Sequence, residues 1–406
     1  MSSEWQRITF GEFISLQRGH DLPEQEREDG NVPILGSFGV TGWHSTAKAK
    51  GPGLTIGRSG ASFGVATYTD KDYFPLNTSL YVTDFNGNQP RFAYYFAKDF
   101  DFSAFNSGSA QPSLNRNFIN PVKVSIPPIA EQKAIAHILG TLDDKIELNR
   151  KTNETLEAMA RALFKSWFVD FDPVRAKAEG RPTGLPDEIS DLFPDSFEGS
   201  ELGEIPGGWE VKALDQIADF LNGLALQKFP PEDGGPTLPV IKIAQLKKGD
   251  ALGADRCSTS VPEDYVIRDG DVLFSWSGSL AVDIWCGGDG ALNQHLFKVT
   301  SKTYGKWFFY QWVKHHLSDF QEIAQGKATT MGHIQRHHLS EAQTLIPTPP
   351  LFGAMDSVFA SMLDRSFVLR KQSRELSCIR DTLLPKLISG ELRIPEAERL
   401  LEEVGI

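Results

Sequence analysis

Residues Ile129–Phe168 read IAEQKAIAHILGTLDDKIELNRKTNETLEAMARALFKSWF, and their spacing decides the fold. Leu139, Leu142, Ile146, Asn149, Asn153, Leu156, Ala160, Leu163 and Trp167 recur at alternating steps of three and four, the heptad seam of a coiled coil. At 1.5 Å per residue such a helix runs roughly 60 Å. A second stretch, from about Leu351 to Ile388, repeats the alternation at Phe359, Met362, Ser366, Leu369, Ser373, Leu376, Arg380, Leu383 and Leu387. Polar seam residues such as Asn149 and Asn153 fix register at some cost in stability. Two such stretches in one chain predict an intramolecular antiparallel pair; a homodimer zipper is the alternative. Pro385 predicts a kink or an end near Leu384, because it lacks an N–H and clashes with the preceding turn, and Ser389-Gly390 supplies a second stop signal.

Working outward, what precedes each helix is also duplicated. Trp5 to Gly19 (WQRITFGEFISLQRG) and Trp209 to Gly223 (WEVKALDQIADFLNG) share their ends, their length and the register of their apolar residues. VPILGS near Val32 matches LPVIKIAQL near Leu238, and LTIGRSGAS near Leu54 matches DVLFSWSGSL near Asp271. NTSLYVT at Asn77 matches NQHLFKVT at Asn293, and an aromatic helix follows in each copy, at Arg91 and at Lys306. Polar loops led by Gly108 and Gly326, then strands closing on Pro128 and Pro350, complete the order. A repeat on this scale governs the whole fold. Short β-branched runs between Gly, Asn and Pro turns, with one or two helices, make each copy an α+β head. The expected division is head one at 1–128, helix at 129–169, acidic linker at 170–204, head two at 205–350, helix at 351–390 and a C-terminal tail at 391–406.

The formal net charge of −12 weighs against a simple nucleic-acid binder, which concentrates Lys and Arg. More than half of the excess lies in the stretch from Asp170 to Glu204, where ten acids face three bases. The heads are therefore only mildly acidic. No run approaches the ~18 apolar residues of a membrane span, and no secretory signal is visible at the N-terminus. Cys257, Cys286 and Cys378 lie far apart, as buried thiols in a reducing cytoplasm would.

The segment IPPIAEQKAIAHILGTLDDKIELNRKTNETLEAMARALFKSWFVDFDPVRAKAEG, from Ile126 to Gly180, resembles the specificity (S) subunit of type I restriction–modification systems. The second copy, IPTPPLFGAMDSVFASMLDRSFVLRKQSRELSCIRDTLLPKLISGEL, resembles that family's distal conserved region, with Phe352-Gly353 where the first has Glu131-Gln132. The resemblance implies a fold of two globular target-recognition domains separated by two long antiparallel coiled-coil helices, a pseudo-twofold internal repeat. Each domain would read one half of a bipartite target in double-stranded DNA. The helices, through Leu139, Leu142, Ile146, Asn149, Asn153, Leu156, Leu163, Met362, Leu369, Leu376 and Leu383, would set the spacer and dock two methyltransferase (M) subunits. Restriction (R) subunits would complete the complex. S-adenosylmethionine is expected in the methyltransferase partner, with no cofactor in this chain. A duplicated protein–protein interaction scaffold without DNA binding is the alternative.

Nothing in the chain suggests chemistry of its own. It lacks the Asn-Pro-Pro-aromatic or Asp-Pro-Pro-Tyr run of an amino-methyltransferase, a G-x-G-x-x-G after a strand, and a complete P-loop at Gly326-Lys327. Asp143-Asp144-Lys145 echoes a nuclease motif but falls in the heptad helix, on an expected solvated face. His333 and His337 would share a helical face at i, i+4 but lack a third ligand. DNA contact needs polar or cationic side chains on loops. In the first head these are Arg58, Ser59, Gln111, Ser113, Asn115 and Arg116, with His44, Lys48 and Lys50 for phosphates. In the second they are Trp276, Ser277, Lys327, Thr329, Thr330, His333 and Arg336. Arg116 and Arg336 correspond under the repeat, which suggests a partly structural task.

Overall fold

The computed structural model describes residues 5–106, 112–326 and 332–403. The chain divides into two compact units. One joins Met1–Glu147 to Arg374–Ile406, and the other is Leu148–Ser373.

In the first unit, a four-stranded antiparallel sheet has the order Ser15–Arg18, Ser79–Asp84, Gly53–Gly57, Ala66–Thr69. A smaller sheet orders Gly39–His44, Val32–Gly36 and Phe74–Pro75, with the last pair parallel. Gln6–Thr9 pairs with Lys123–Ile126, the strand that feeds the first long helix, Ile129–Phe168. The aromatic helix Pro90–Asp99 buries Phe92, Tyr95 and Phe96 against Phe10 and Phe13. Into the same core the long helices send Leu139 and Leu142 from one side and Leu376, Leu383 and Leu387 from the other.

The second unit repeats this plan. Asp219–Asn222, Leu296–Thr300, Val272–Ser275 and Val282–Ile284 form the four-stranded sheet in the corresponding order. The smaller sheet keeps its parallel pair, Thr237–Ile241 with Gly290–Leu292, and gains the strand Val266–Ile267. Glu210–Ala213 pairs with Gln343–Ile346, which leads into the second long helix, Pro349–Ser389. Strand pairing corrects the sequence alignment by one residue. Arg18 faces Leu80 and Asn222 faces Phe297, so Leu80 corresponds to Phe297, and Asn77 to Gln294. Both loop residues confirm it, Asn77 N–H donating to His20 O and Gln294 N–H to Leu224 O. The Asn shared by both loops masked the step, and one residue is enough to turn every side chain of a strand to the other face.

Four expectations differ from the structure. Residues 170–204 are not a bare linker: they form helices Asp172–Ala178 and Asp187–Ser190 and the hairpin Phe197–Ser200/Gly203–Pro206. Val174, Phe193 and Ile205 are buried in the second unit's core, while nearly all the carboxylates point outward. Pro385 does not end the helix, which runs through it to Ser389. Burial of Leu383, Leu384, Leu387 and Ile388 around it, at about 1.5–3 kcal/mol per side chain, offsets the ~3 kcal/mol a mid-helix proline costs. The expected tail contains the helix Ile394–Glu403, which buries Ala397 and Leu401 in the first unit's core. Of the three thiols, Cys257 and Cys286 are buried but Cys378 is exposed.

The two units join head to helix by different chemistry. In the first, the buried Gln132 amide accepts from Gln89 N–H at 3.0 Å and donates to Asn88 Oδ1 at 2.8 Å and Pro127 O at 2.9 Å. Asp143 accepts from Tyr95 OH (2.6 Å) and Arg380 Nη1 (2.7 Å), and Arg91 clasps Asp144 and holds its carboxyl below the usual range. Asp143 is a part-buried structural ion-pair partner, whereas Asp144, though paired with Arg91, stays exposed beside Lys145, as a solvated face requires. In the second unit strand pairing puts Ile346 in the place of Ile126, so Phe352 stands where Gln132 does, one position on from the expected match with Glu131, and it packs on Trp307 and Phe308. Phe168 sits amid Trp209, Trp307, Trp312 and Phe359 in tilted and edge-on contacts, and Trp307 stacks on Phe359 at an interplanar angle of 9°.

Candidate nucleic-acid interface

At one end of the first unit's sheet, two loops are zipped together by backbone. Ser59 bridges Ser113, Leu114 N–H donates to Arg58 O at 2.7 Å, and Arg58 N–H donates to Thr78 O at 2.9 Å. Arg58 Nη1 reaches Asn77 O at 3.3 Å and Arg116 Nη1 reaches Leu16 O at 2.9 Å. Asn115 caps the short helix Arg116–Ile119 through Asn117 N–H. Arg58, Ser113, Asn115 and Arg116 then line one cavity of about 630 Å³, together with Gln17, Arg18, His20 and Asp21. Those last four escaped the sequence reading because they close or directly follow the Trp5–Gly19 landmark, whose apolar register dominated it. The cation-Gly-His run at Arg18–His20, just after a strand, was the signal available. Gln111 lies outside the described residues.

His44, Lys48 and Lys50 do not line this cavity. His44 is buried, its Nδ1 accepting from Glu28 N–H at 3.1 Å and its ring edge-on to Phe74, so it is no phosphate contact. Lys50 pairs with Asp72 at 2.6 Å; Lys48 is exposed.

The second unit has the same zipper with other side chains. Ser277 bridges His333, Ile334 N–H donates to Trp276 O at 2.9 Å, and Trp276 N–H donates to His295 O at 3.3 Å. Trp276 thus holds the place of Arg58, His333 that of Ser113 and Asn222 that of Arg18. Trp276 Nε1 donates to Asn222 Oδ1 at 2.8 Å, and its ring packs beside Phe297, His295 and His333. Ser277 is buried against His295 Nδ1 at 2.9 Å, which removes it as a base contact. Arg336 Nη2 reaches Phe220 O at 3.3 Å, the carbonyl corresponding to Leu16 O. Each of these two arginines therefore spends one N–H anchoring its loop. Lys327, Thr329 and Thr330 lie outside the described residues. Lys247, on the helix Ile243–Lys248, bonds Ser279 beside the zipper.

His333 stands before the helix Arg336–Glu341, so the expected i, i+4 pair with His337 does not form. His337, His338 and Glu341 do cluster. Gln335 N–H, however, donates to His338 Nδ1 at 2.9 Å, leaving the neutral ring's proton on Nε2 and no lone pair for a metal.

The seam residues turn inward within each unit. Leu139, Leu142, Leu376 and Leu383 are at most 4% exposed, and Leu369 equally so. Asn149 donates to Gln372 Oε1 at 3.0 Å, and Asn153 is buried. Ile146, Leu156, Leu163 and Met362 are half-buried. Leu139, Leu142, Asn149, Asn153, Leu369, Leu376 and Leu383 hold helix to helix and leave almost no surface for another subunit, which corrects their assignment as partner contacts, while Ile146, Leu156, Leu163 and Met362 keep part of their surface exposed. The outward row of the first helix carries Lys151, Glu154, Thr155, Ala158, Met159 and Ala162.

A family model described as the type I restriction modification DNA specificity domain matches residues 2–158 and again 206–368. The chain belongs to this family. Among specificity subunits of named type I restriction enzymes, that of MjaIX from Methanocaldococcus jannaschii is 27% identical over 77% of this chain and 71% of its own length. That of HindI from Haemophilus influenzae is 25% identical over 80% and 82%. The crystal structure of the S subunit from M. genitalium superposes with a TM-score of 0.61 at 15% identity, covering 95% of this chain and 96% of that one. This specificity subunit is accordingly the non-catalytic, DNA-recognising member of a type I system, and methyl transfer and cleavage reside in other subunits. Among the described residues no helix is long and apolar enough to cross a membrane.

Proposed function

We propose that each head of this specificity subunit reads one half of a bipartite duplex target through its zipped loops. In the first head these present Arg58, Ser59, Ser113, Asn115 and Arg116; in the second, Trp276, His333 and Arg336. The observation that carries this reading is the same backbone zipper at the end of each four-stranded sheet, dressed with different side chains. A rigid sheet holding variable loops is the usual platform for recognition. The outward helix row around Met159, half exposed, is the docking face for methyltransferase subunits, which bring S-adenosylmethionine and most of the basic surface this acidic chain lacks. Restriction subunits join that assembly, and the work is cytoplasmic. The family match lends no support to a scaffold without DNA binding.

Exchange of residues 5–124 for the first head of another family member tests the division of labour. The methylated site of the reconstituted complex, mapped by methylome sequencing, is expected to change in one half only. Change in both halves, or in neither, would refute it.

A further inference from the structure

The cavity of the first head and its filled counterpart in the second point to unequal grips on the DNA backbone. Four features define the open one. Arg18, Arg58 and Arg116 bring three guanidiniums against a single carboxylate, Asp21, whose Oδ1 already accepts from Asn77. Arg58 and Arg116 are each tethered by one N–H to a main-chain carbonyl, which orients the rest of the fork. The Arg18 side chain is exposed and makes no hydrogen bond or ion pair among the described residues. The site is also a recess of about 630 Å³, and the convex part of a duplex is its sugar–phosphate ridge, whereas base edges lie recessed in the grooves and are met by side chains that project.

In the second head the tether of Arg336 is kept, and the other features are lost at the matching place. Trp276 replaces Arg58 and swings over Asn222, which replaces Arg18, and the indole N–H takes up the Asn222 carbonyl oxygen. Phe297, in the place of Leu80, backs the ring at a centroid distance of 6.0 Å. The recess is filled by an aromatic plug, and of the three guanidiniums only Arg336 remains.

We infer that the first head carries a seat for a backbone phosphate of the duplex, with Arg18 as the contacting cation, and that the second head has none at the corresponding position. The inference rests on the proposed reading of the heads and adds a contact class to it. A phosphate contact contributes affinity without sequence information and releases about one counterion. It also places positive charge locally on a chain whose overall charge is unfavourable for DNA.

The test uses the full chain assembled with its methyltransferase subunits and a pool of duplexes with randomised positions, followed by binding of the selected duplex from low to moderate salt. Arg18→Ala is expected to select the same motif as the parent and to bind all members of the pool more weakly. Its log–log salt slope should be shallower by ~0.9, which is about 3.5-fold less loss of affinity over a fourfold rise in salt. Arg18→Lys should keep the parental slope, because a point charge suffices for phosphate. Trp276→Phe, which keeps the aromatic plug and removes the indole N–H bonds to Asn222 Oδ1 and Gln294 O, should leave the slope unchanged. An altered motif in Arg18→Ala would make Arg18 a base reader and overturn the inference, as would an unchanged affinity and slope. A slope change in Trp276→Phe as large as that in Arg18→Ala would overturn the asymmetry. A parent complex that selects no motif at all would overturn instead the reading of the heads on which the inference stands.

Discussion

The two heads share strand order, loop zipper and an anchoring arginine, yet they differ wherever a side chain can be exchanged without moving the backbone. One presents an open basic recess and meets its helix through amides and ion pairs. The other fills that recess with Trp276 and meets its helix through packed rings. A duplicated frame evidently constrains the main chain far more tightly than the groups hung on it. Gly19 and Gly223 mark that constraint: a Cβ at either would lie 2.1 or 2.2 Å from a carbonyl oxygen, of Leu76 or Asn293, so both copies keep glycine there.

The ring joint offers the largest effect with which to challenge this contrast. Phe168→Ala should cost the second unit about 3–5 kcal/mol, read as a lower urea midpoint in tryptophan emission, which six of the eight tryptophans report from that unit. An equal loss in the first unit would break the proposed independence of the joints. Gln132→Ala should weaken the first unit by about 1–3 kcal/mol, because the Gln89 N–H and Asn88 Oδ1 lose their partner in a half-buried place. Hydrogen exchange at the start of the aromatic helix would register it, and unchanged protection there would deny the polar stitch its role.

Acid should separate the units more gently. Burial pushes His315 and His316, at the end of the second unit's aromatic helix, below their usual pKa, whereas the first unit's aromatic helix ends on Asp99 with no histidine. A histidine depressed in the fold binds fewer protons than in the unfolded chain, so stability rises with pH and falls as pH drops through the unfolded value near 6.5. The second unit's midpoint should therefore fall between pH 7.5 and 5.5, and His316→Asn should flatten that dependence; a parallel fall in both units would assign it elsewhere. The smallest effect belongs to Lys50→Ala. An exposed ion pair such as Lys50–Asp72 contributes little, so thermal unfolding should show no measurable shift.

Much of this contrast was legible in the chain. The long helices announced themselves because a heptad seam is a pattern in sequence alone, and Leu139, Leu142, Leu376 and Leu383 are buried where it put them. The duplicated heads followed from landmarks in common order. What escaped was set by contacts between distant residues. Asn77 and Asn293 share an identity but not a register, since strand pairing and not residue type fixes it. Pro385 obeys its neighbours' burial more than its own geometry. His44 and Ser277 look like surface polar groups until Glu28 N–H and His295 claim them. Arg18 was overlooked because only folding brings it beside Arg58 and Arg116.

The contiguity of the second unit and the split of the first also bear on the order in which they form during synthesis. Leu148–Ser373 contains everything its own core needs, so it can close as soon as it leaves the ribosome. The first head emerges earlier but waits for Leu376, Leu383, Leu387, Ala397 and Leu401 to cover Leu139 and Leu142. Domains of a nascent chain ordinarily fold N-terminal first. On this division the middle can be finished before the beginning, leaving part of the first head's apolar face bare while more than 200 further residues are translated, the interval in which a chaperone has most to protect.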